Sequence, residues 1–248
     1  MTRTDRYSDD ARREGNARLS IVVPVLNEAA TLAESLAHLQ PLRVRGAEVI
    51  VVDGGSHDGC LDAARPFADT VLASPRGRAL QMNAGARAAT GAVLLFLHAD
   101  TRLPPDADLT IRAALAHSAR VWGRFDIRLS GERPLLRVVE FFMNLRSRLT
   151  GIATGDQAIF VTRAAFDRAG GFPALALMED VALSARLKHA SRPLCLRVRV
   201  VASSRKWQRE GALRTIWLMW RLRLAFFLGA DPSDLARRYY RRDHRQSP

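Results

Sequence analysis

Two cysteines, Cys60 and Cys195, are all that 248 residues contain, and they lie far apart in the chain. That scarcity leaves neither a disulfide framework nor a cysteine-rich zinc site and points to reduced thiols. Residues 1–18 hold no apolar stretch, so no secretory signal is read there and a cytoplasmic location is expected. A bilayer-spanning run is missing as well, because the best candidate, residues 213–230, is broken by Arg214, Arg221 and Arg223. No GxGxxG follows a predicted strand, and Asp53 precedes its glycine turn instead of trailing it, which argues against a dinucleotide-binding dehydrogenase. Internal repeats and linkers are absent. The length therefore suits one domain with a tail, and 48% hydrophobic against 25% charged residues argues against wholesale disorder.

Acidic side chains run short in one place only. From Arg186 onward 16 Lys/Arg face 4 Asp/Glu, a net +12 of the chain's +13, whereas residues 1–185 carry 22 against 21. A basic C-terminal quarter points to an anionic surface, either lipid headgroups or nucleic acid. The nucleic-acid reading, suggested by a pI of about 11.2, lacks any recognised binding motif, and the arginines lie beside Trp and Phe at helix-like spacing. Residues 213–230 read as an interfacial amphipathic helix with basic flanks, or as a helix packing back on the domain.

What is present is organised around residues 93–101, VLLFLHADT, an apolar run that suits a fully buried strand and ends in polar groups. Ligands of open α/β sheets bind at that strand edge, and Asp100 there is placed to hold a divalent cation against a phosphate. Residues 1–17 are expected to be disordered. Residues 19–25 and 48–53 read as strands, each followed by a tight loop and a helix; Pro24 falls near a strand end, where a missing donor is tolerated. Short strands are expected at 70–73, 158–161 and 194–201. Residues 121–129 alternate as a strand would, and an edge of the sheet is the expected partner. Helices are expected at 79–89, from Pro104-Pro105 through Leu115, at 164–169, at 179–189 and at 134–149, the last with one broad apolar face.

Individual polar residues admit two readings. Asp53 can cap its own turn, and Asn27 and Glu28 can be a helix cap and a first-turn acid. Arg76 and Arg78 flank Gly77, which allows close backbone approach; they are solvated loop charges or, Arg78 above all, a diphosphate clamp. His98 is a packed structural imidazole or a metal-side ligand. Glu179 and Asp180 can favour the positive end of a helix, or act as an acid pair whose mutual repulsion raises one pKa.

Four separated segments carry a family resemblance: PVLNE at 24–28, VVDGGSHDG at 51–59, residues 78–85 running into the Asp100 strand, and EDVAL at 179–183 with Arg186-Leu187. Together, over roughly residues 19–207, they resemble inverting glycosyltransferases of family 2. The wording LFLHADTRLP and TGIATGDQAIF is also similar to a small bacterial subgroup of radical-SAM/selenodomain-associated transferases. The resemblance implies an α/β GT-A fold: a single nucleotide-diphospho-sugar transferase domain over 18–209, with a mixed, mostly parallel central sheet flanked by helices, and a basic, apolar helical segment and tail over 210–248.

It further implies a nucleotide-diphosphate sugar donor, a divalent metal (Mn2+ or Mg2+), and site roles. Pro24, Asn27, Glu28 and Asp53 fall to the nucleoside, Arg78 and Asp100 to the diphosphate, and Asp100 with His98 to the metal. Asp180 falls to the general base with Glu179 in support, and Gly155, Asp156, Gln157 and Trp207 to the acceptor side; Trp207 can equally be core. His98 stands where the family usually has the first acid of its metal motif, which affects ribose binding and favours Mn2+ over Mg2+. The acceptor is unidentified; a lipid-linked one would suit a protein peripheral on the inner face of the cytoplasmic membrane. A sugar-phosphate nucleotidyltransferase is the alternative enzyme, but its glycine-rich loop is missing after the first strand.

Overall fold

The computed structural model describes residues 18–205, 207 and 211–240, so the disorder expected for 1–17 lies outside the described residues. Strands β1 (Leu19–Val25), β2 (Glu48–Asp53), β3 (Thr70–Ala73) and β4 (Val93–Phe96) form a parallel block in the order β3-β2-β1-β4. β1, β2 and β4 are buried along their whole length, which is why they read as continuous apolar runs instead of alternating ones. Pairing of β1 with β4 stops at Val22 and Phe96, so Pro24 withholds no hydrogen bond from that neighbour.

Helices fill the crossovers. α1 (Ala29–Ala37) and the unforeseen short α2 (Gln40–Val44) cover one face through Leu32, Leu36 and Leu42, with α3 (Cys60–Ala64) beside them. α4 (Arg78–Ala88) covers the other face through Ala79, Met82 and Ala86. It lies close because residue 85 is glycine: a Cβ there would stand 2.3 Å from Val22 Cγ1. β1, β2 and β4 thus end together at one sheet edge, each carrying its polar loop.

Beyond β4 the sheet continues through β7 (Ile159–Thr162), β6 (Trp122–Leu129), β8 (Leu194–Ala202) and the two-residue β5 (Thr101–Arg102), giving β3-β2-β1-β4-β7-β6-β8-β5. The β4–β7, β6–β7 and β5–β8 pairings are antiparallel and β6–β8 is parallel, so the sheet is mixed and mostly parallel, with helices on both faces. α5 (Ala107–Ala116) and α7 (Arg163–Arg168) pack against it through Ile111, Leu115 and Phe166, and α8 (Glu179–Leu187) through Leu183 and Leu187.

One expectation is corrected here: β6 is expected to pair with an edge of the sheet, but it lies inside it, pairing β7 at Trp122–Gly123 and β8 along its length, neither of them an edge strand, and only Arg128 of its residues is exposed. Past Gly123, its free side meets side chains of α6 (Pro134–Thr150). Asn144 accepts from Ile127 N at 2.9 Å and donates to Ile127 O at 3.0 Å, supplying the pairing that a neighbouring strand would otherwise give. Arg148 and the fully buried Arg124 both pair with Asp126. The broad apolar face expected on α6 is present and mostly uncovered. The helix docks through Leu136, Val139, Glu140 and Ser147, leaving Leu135, Val138, Phe142, Leu145 and Leu149 exposed.

The basic C-terminal segment forms α9 (Ala212–Phe227) and α10 (Pro232–Tyr240), the latter not foreseen. Leu218, Leu222, Leu235 and Ala236 share an apolar cluster with Ile152, Leu177, Met178 and Val181, so the segment packs back on the domain. Trp217, Trp220, Leu224 and Phe227 of α9 nevertheless stay exposed, so the helix has a second apolar side that the domain does not cover.

Candidate active site

The nucleoside-side loops are tied to one another. Asn27, held at φ +54°, donates its N–H to Ser56 Oγ at 2.8 Å and accepts His57 N–H on Oδ1 at 3.0 Å. Asp53, almost fully buried, accepts from Gly55 N at 3.1 Å, from Ser56 N at 3.0 Å and from the Ser56 hydroxyl. Asp53 therefore caps its own turn. The plain reading of Asn27 as helix cap and Glu28 as first-turn acid does not hold: Glu28 itself stands at the cap position, its side chain makes no cap hydrogen bond, the first turn holds no acid, and Asp58 accepts from Ala29 N at 2.9 Å instead. Sequence reasoning missed Gln81, whose Nε2 donates to the carbonyls of Val25 and Val52 at 2.8 Å each and locks the ends of β1 and β2 together.

Next to these loops, charges converge. Burial, followed by the nearby Asp100, pushes Glu28 above the usual glutamate value, against the pull of Arg205 and Arg78. Arg78 is the first residue of α4, after Gly77 at φ +142°; Arg76 stays in the exposed loop. A cation held against a diphosphate needs one or two protein ligands. Asp100 fits: it is exposed, and its carboxylate makes no hydrogen bond or ion pair among the described residues. No three His, Cys, Asp or Glu gather at one point among those residues, so phosphate and water oxygens would have to complete any coordination.

His98 faces the opposite wall. A Cβ on Gly155 would lie 2.4 Å from its Nε2, so that ring edge packs closely on Gly155. Burial, then the Arg78 charge, holds its pKa below the usual histidine value, which keeps the imidazole neutral at pH 7. Gly155 also donates its N–H to Asp180 Oδ2 at 2.7 Å, while Asp180 Oδ1 accepts from Val181 N at 2.7 Å. Asp180 is thereby fixed in orientation with a lone pair still available on each oxygen. Glu179 is buried beside it, and burial first, Asp180 second, raises its pKa to about 7. The repulsion expected between the two acids is present, but desolvation is the larger cause.

Asp100, His98 and the acid pair open into one cleft of about 810 Å³, lined among others by Arg78, His98, Asp100, Asp156, Glu179, Asp180 and Trp207, whereas Pro24, Asn27, Glu28 and Asp53 are not among its lining residues. Gln157 does not reach it. It is fully buried, and its Oε1 accepts from Thr154 N at 3.2 Å to close the capping box of the Gly155–Gln157 turn. Trp207 is both cleft wall and core neighbour.

A doubly covered sheet whose parallel strand ends carry a turn-capping aspartate and an open Asp100, with an acid pair at a helix start lining the same cleft as Asp100, has the GT-A fold. Residues 20–168 match the family model for glycosyl transferase family 2, and the chain belongs to that family. Over 102 residues it is 38% identical to a PGL/p-HBAD biosynthesis glycosyltransferase of Mycobacterium tuberculosis, a match covering 38% of this chain and 40% of that protein. The Mycobacterium bovis counterpart matches equally, so the chain spans about 40% of the length of these relatives. Among solved structures, the mannosyltransferase PcManGT from Pyrobaculum calidifontis, in complex with GDP-Man and Mn2+, superposes with TM-score 0.62 at 24% identity over 90% of this chain and 68% of that one. S. aureus TarS 1-349 with UDP-GlcNAc gives TM-score 0.60 at 20% identity over 76% of this chain and 59% of its own.

Proposed function

We propose that this protein is a metal-dependent, inverting glycosyltransferase that moves a sugar from a nucleotide-diphosphate donor to an acceptor hydroxyl or phosphate. The observation that carries the reading is the single cleft in which the Glu179–Asp180 pair faces Arg78 and Asp100. The loops at Pro24, Asn27, Glu28 and Asp53 receive the nucleoside. Arg78 and Asp100 take the diphosphate end, where a bound Mn2+ or Mg2+ would supply Lewis-acid stabilisation of the leaving group. Asp180 accepts the proton of the acceptor hydroxyl as its oxygen bonds to the anomeric carbon; the bond from that carbon to the phosphate oxygen breaks, and the nucleoside diphosphate departs with the electron pair. Arg78 offsets the charge that develops there. Glu179 supports Asp180 as a neighbouring acid near its own midpoint at neutral pH. Gly155 and Asp156 stand on the acceptor side.

Solved neighbours bound to GDP-Man with Mn2+ and to UDP-GlcNAc support the donor class and the metal. The shared LFLHADTRLP and TGIATGDQAIF wording supports the radical-SAM-associated subgroup. No helix among the described residues is long and apolar enough to cross a membrane. A peripheral position on an anionic leaflet is supported instead by the outward Trp217, Trp220, Leu224 and Phe227, the exposed apolar side of α6 and the +12 carried from Arg186 onward.

The test is a thermal-shift panel of UDP-, GDP- and dTDP-sugars with and without Mn2+. Bound donor at a hundredfold excess over its dissociation constant stabilises the native state by about 2.7 kcal/mol. One nucleotide is expected to raise the melting temperature in a Mn2+-dependent way, and Asp100→Ala should lose that dependence while keeping its own melting temperature. A panel without any shift overturns the donor assignment.

A further inference from the structure

The cleft does not stop at the acid pair. Past Asp156 and Asp180 it runs between α6 and α9, where Val138, Phe142 and Leu145 share the walls with Ile216, Met219 and Trp220. Two arginines line this apolar passage, Arg146 from α6 and Arg223 from α9. Arg146 Nη1 makes one long hydrogen bond, 3.4 Å to the Ile152 carbonyl. Its Nε and Nη2, and Nε of Arg223, are buried with no hydrogen-bond partner among the described residues. Burial, and then the neighbouring Arg223, lowers the pKa of Arg146 to about 10, while Asp156 and Asp180 pull the other way, so it remains a cation at pH 7.

Buried guanidinium N–H groups without acceptors are costly, and replacing such charges with apolar groups of similar volume is often neutral or stabilising. An arrangement of this kind inside a cleft wall calls for a ligand that brings the acceptors. Two adjacent cations and several unpaired N–H groups match a phosphate monoester, with its three terminal oxygens, better than a carboxylate or a neutral hydroxyl. The walls specify the rest of the ligand. They are apolar along both helices, and they end at Phe142 and Trp220, which are 61% and 70% exposed.

We propose that this passage is the acceptor site for an anionic amphiphile: Arg146 and Arg223 hold a phosphate headgroup at the Asp156–Asp180 end, and the hydrocarbon chain lies between α6 and α9. The assignment as acceptor site rests on the sugar-transfer reading above. The exposed apolar rim lets the chain enter from a lipid surface without crossing water.

Binding is read on the intact chain by tryptophan emission, since Trp207 and Trp220 stand in the wall. The probes are dodecyl phosphate below its micelle concentration, dodecanol and inorganic phosphate. Dodecyl phosphate is expected to bind saturably and more tightly than either fragment. Arg146→Met and Arg223→Met should each weaken it by about tenfold or more, the equivalent of one charged hydrogen bond. Both variants should keep the nucleotide-induced thermal shift, and their melting temperatures should stay level or rise, whereas a purely structural arginine would lower them. Dodecanol or inorganic phosphate binding as tightly as dodecyl phosphate overturns the proposal, as does unchanged affinity in both variants. Loss of nucleotide affinity in place of alkyl phosphate affinity would hand the arginines to the donor and also overturns it. Failure of the sugar-transfer reading looks different, because the nucleotide shift is then absent while dodecyl phosphate still binds.

Discussion

Glu179 shows how one residue's surroundings translate into a measurable property. Its carboxyl is raised from 4.5 to about 7, first by burial and then by Asp180. The folded protein therefore keeps a proton that the unfolded chain releases, and this residue costs stability increasingly as pH climbs from about 4.5 to about 7. Glu179→Gln removes that cost. Thermal unfolding across pH should show the variant matching the parent near pH 4 and exceeding it by on the order of 2–3 kcal/mol above pH 7. A variant less stable than the parent above pH 7 would mean that the ionised carboxylate is what the fold requires. Gly155 makes a second case. A methyl group there meets His98 Nε2 at 2.4 Å, so Gly155→Ala is expected to cost about 1–3 kcal/mol by overpacking. Denaturant unfolding of the double variant with His98→Ala should show much of that cost returned, because the two changes share one contact.

At the scale of elements, legibility followed burial. β1, β2 and β4 were readable as strands because both their faces are covered, and their ligand-edge residues were readable because a polar group interrupts each apolar run. β5, two residues long, has no period to detect. The inner position of β6 is not legible, because its partners β7 and β8 are distant in sequence and, past Gly123, Asn144 and Arg148 on a helix take the place of a strand, an arrangement with no local signal. Periodicity finds the apolar stripe of α6 without saying what meets it, and most of that stripe stays exposed. α9 repeats this with two apolar sides. Its inner side shares a cluster with Met178 and Val181, so deleting residues 211–248 would open the catalytic domain and could not isolate a membrane role. Point changes on the outer side can. Trp217→Glu with Phe227→Glu, at 57% and 68% exposure, should keep the melting temperature and lose binding to vesicles containing anionic lipid. Parental binding should weaken with salt, as about 1 kcal/mol per basic residue near the surface requires. Vesicle binding undiminished in the variant would remove α9 from the contact.

For the whole molecule, the site was only partly written in local sequence. Asp53, Asp100 and Asp180 sit at the ends or starts of recognisable elements, where a motif and a strand edge coincide. Gln81, Arg146 and Arg223 do not: each reads as an ordinary polar residue of its helix, and only the packing of α4 on the parallel strands and of α9 beside α6 turns them toward the strand ends and the cleft. The account as a whole stands on sugar transfer with Asp180 as base and inversion at the anomeric carbon. The most direct measurement is NMR of the product formed from whichever donor the panel selects, comparing the parent with Asp180→Asn. The account predicts a product of inverted anomeric configuration, and in the variant undiminished donor binding with turnover reduced about 10²- to 10⁴-fold, the contribution of a positioned base. Retained configuration, or near-parental turnover in Asp180→Asn, would contradict it.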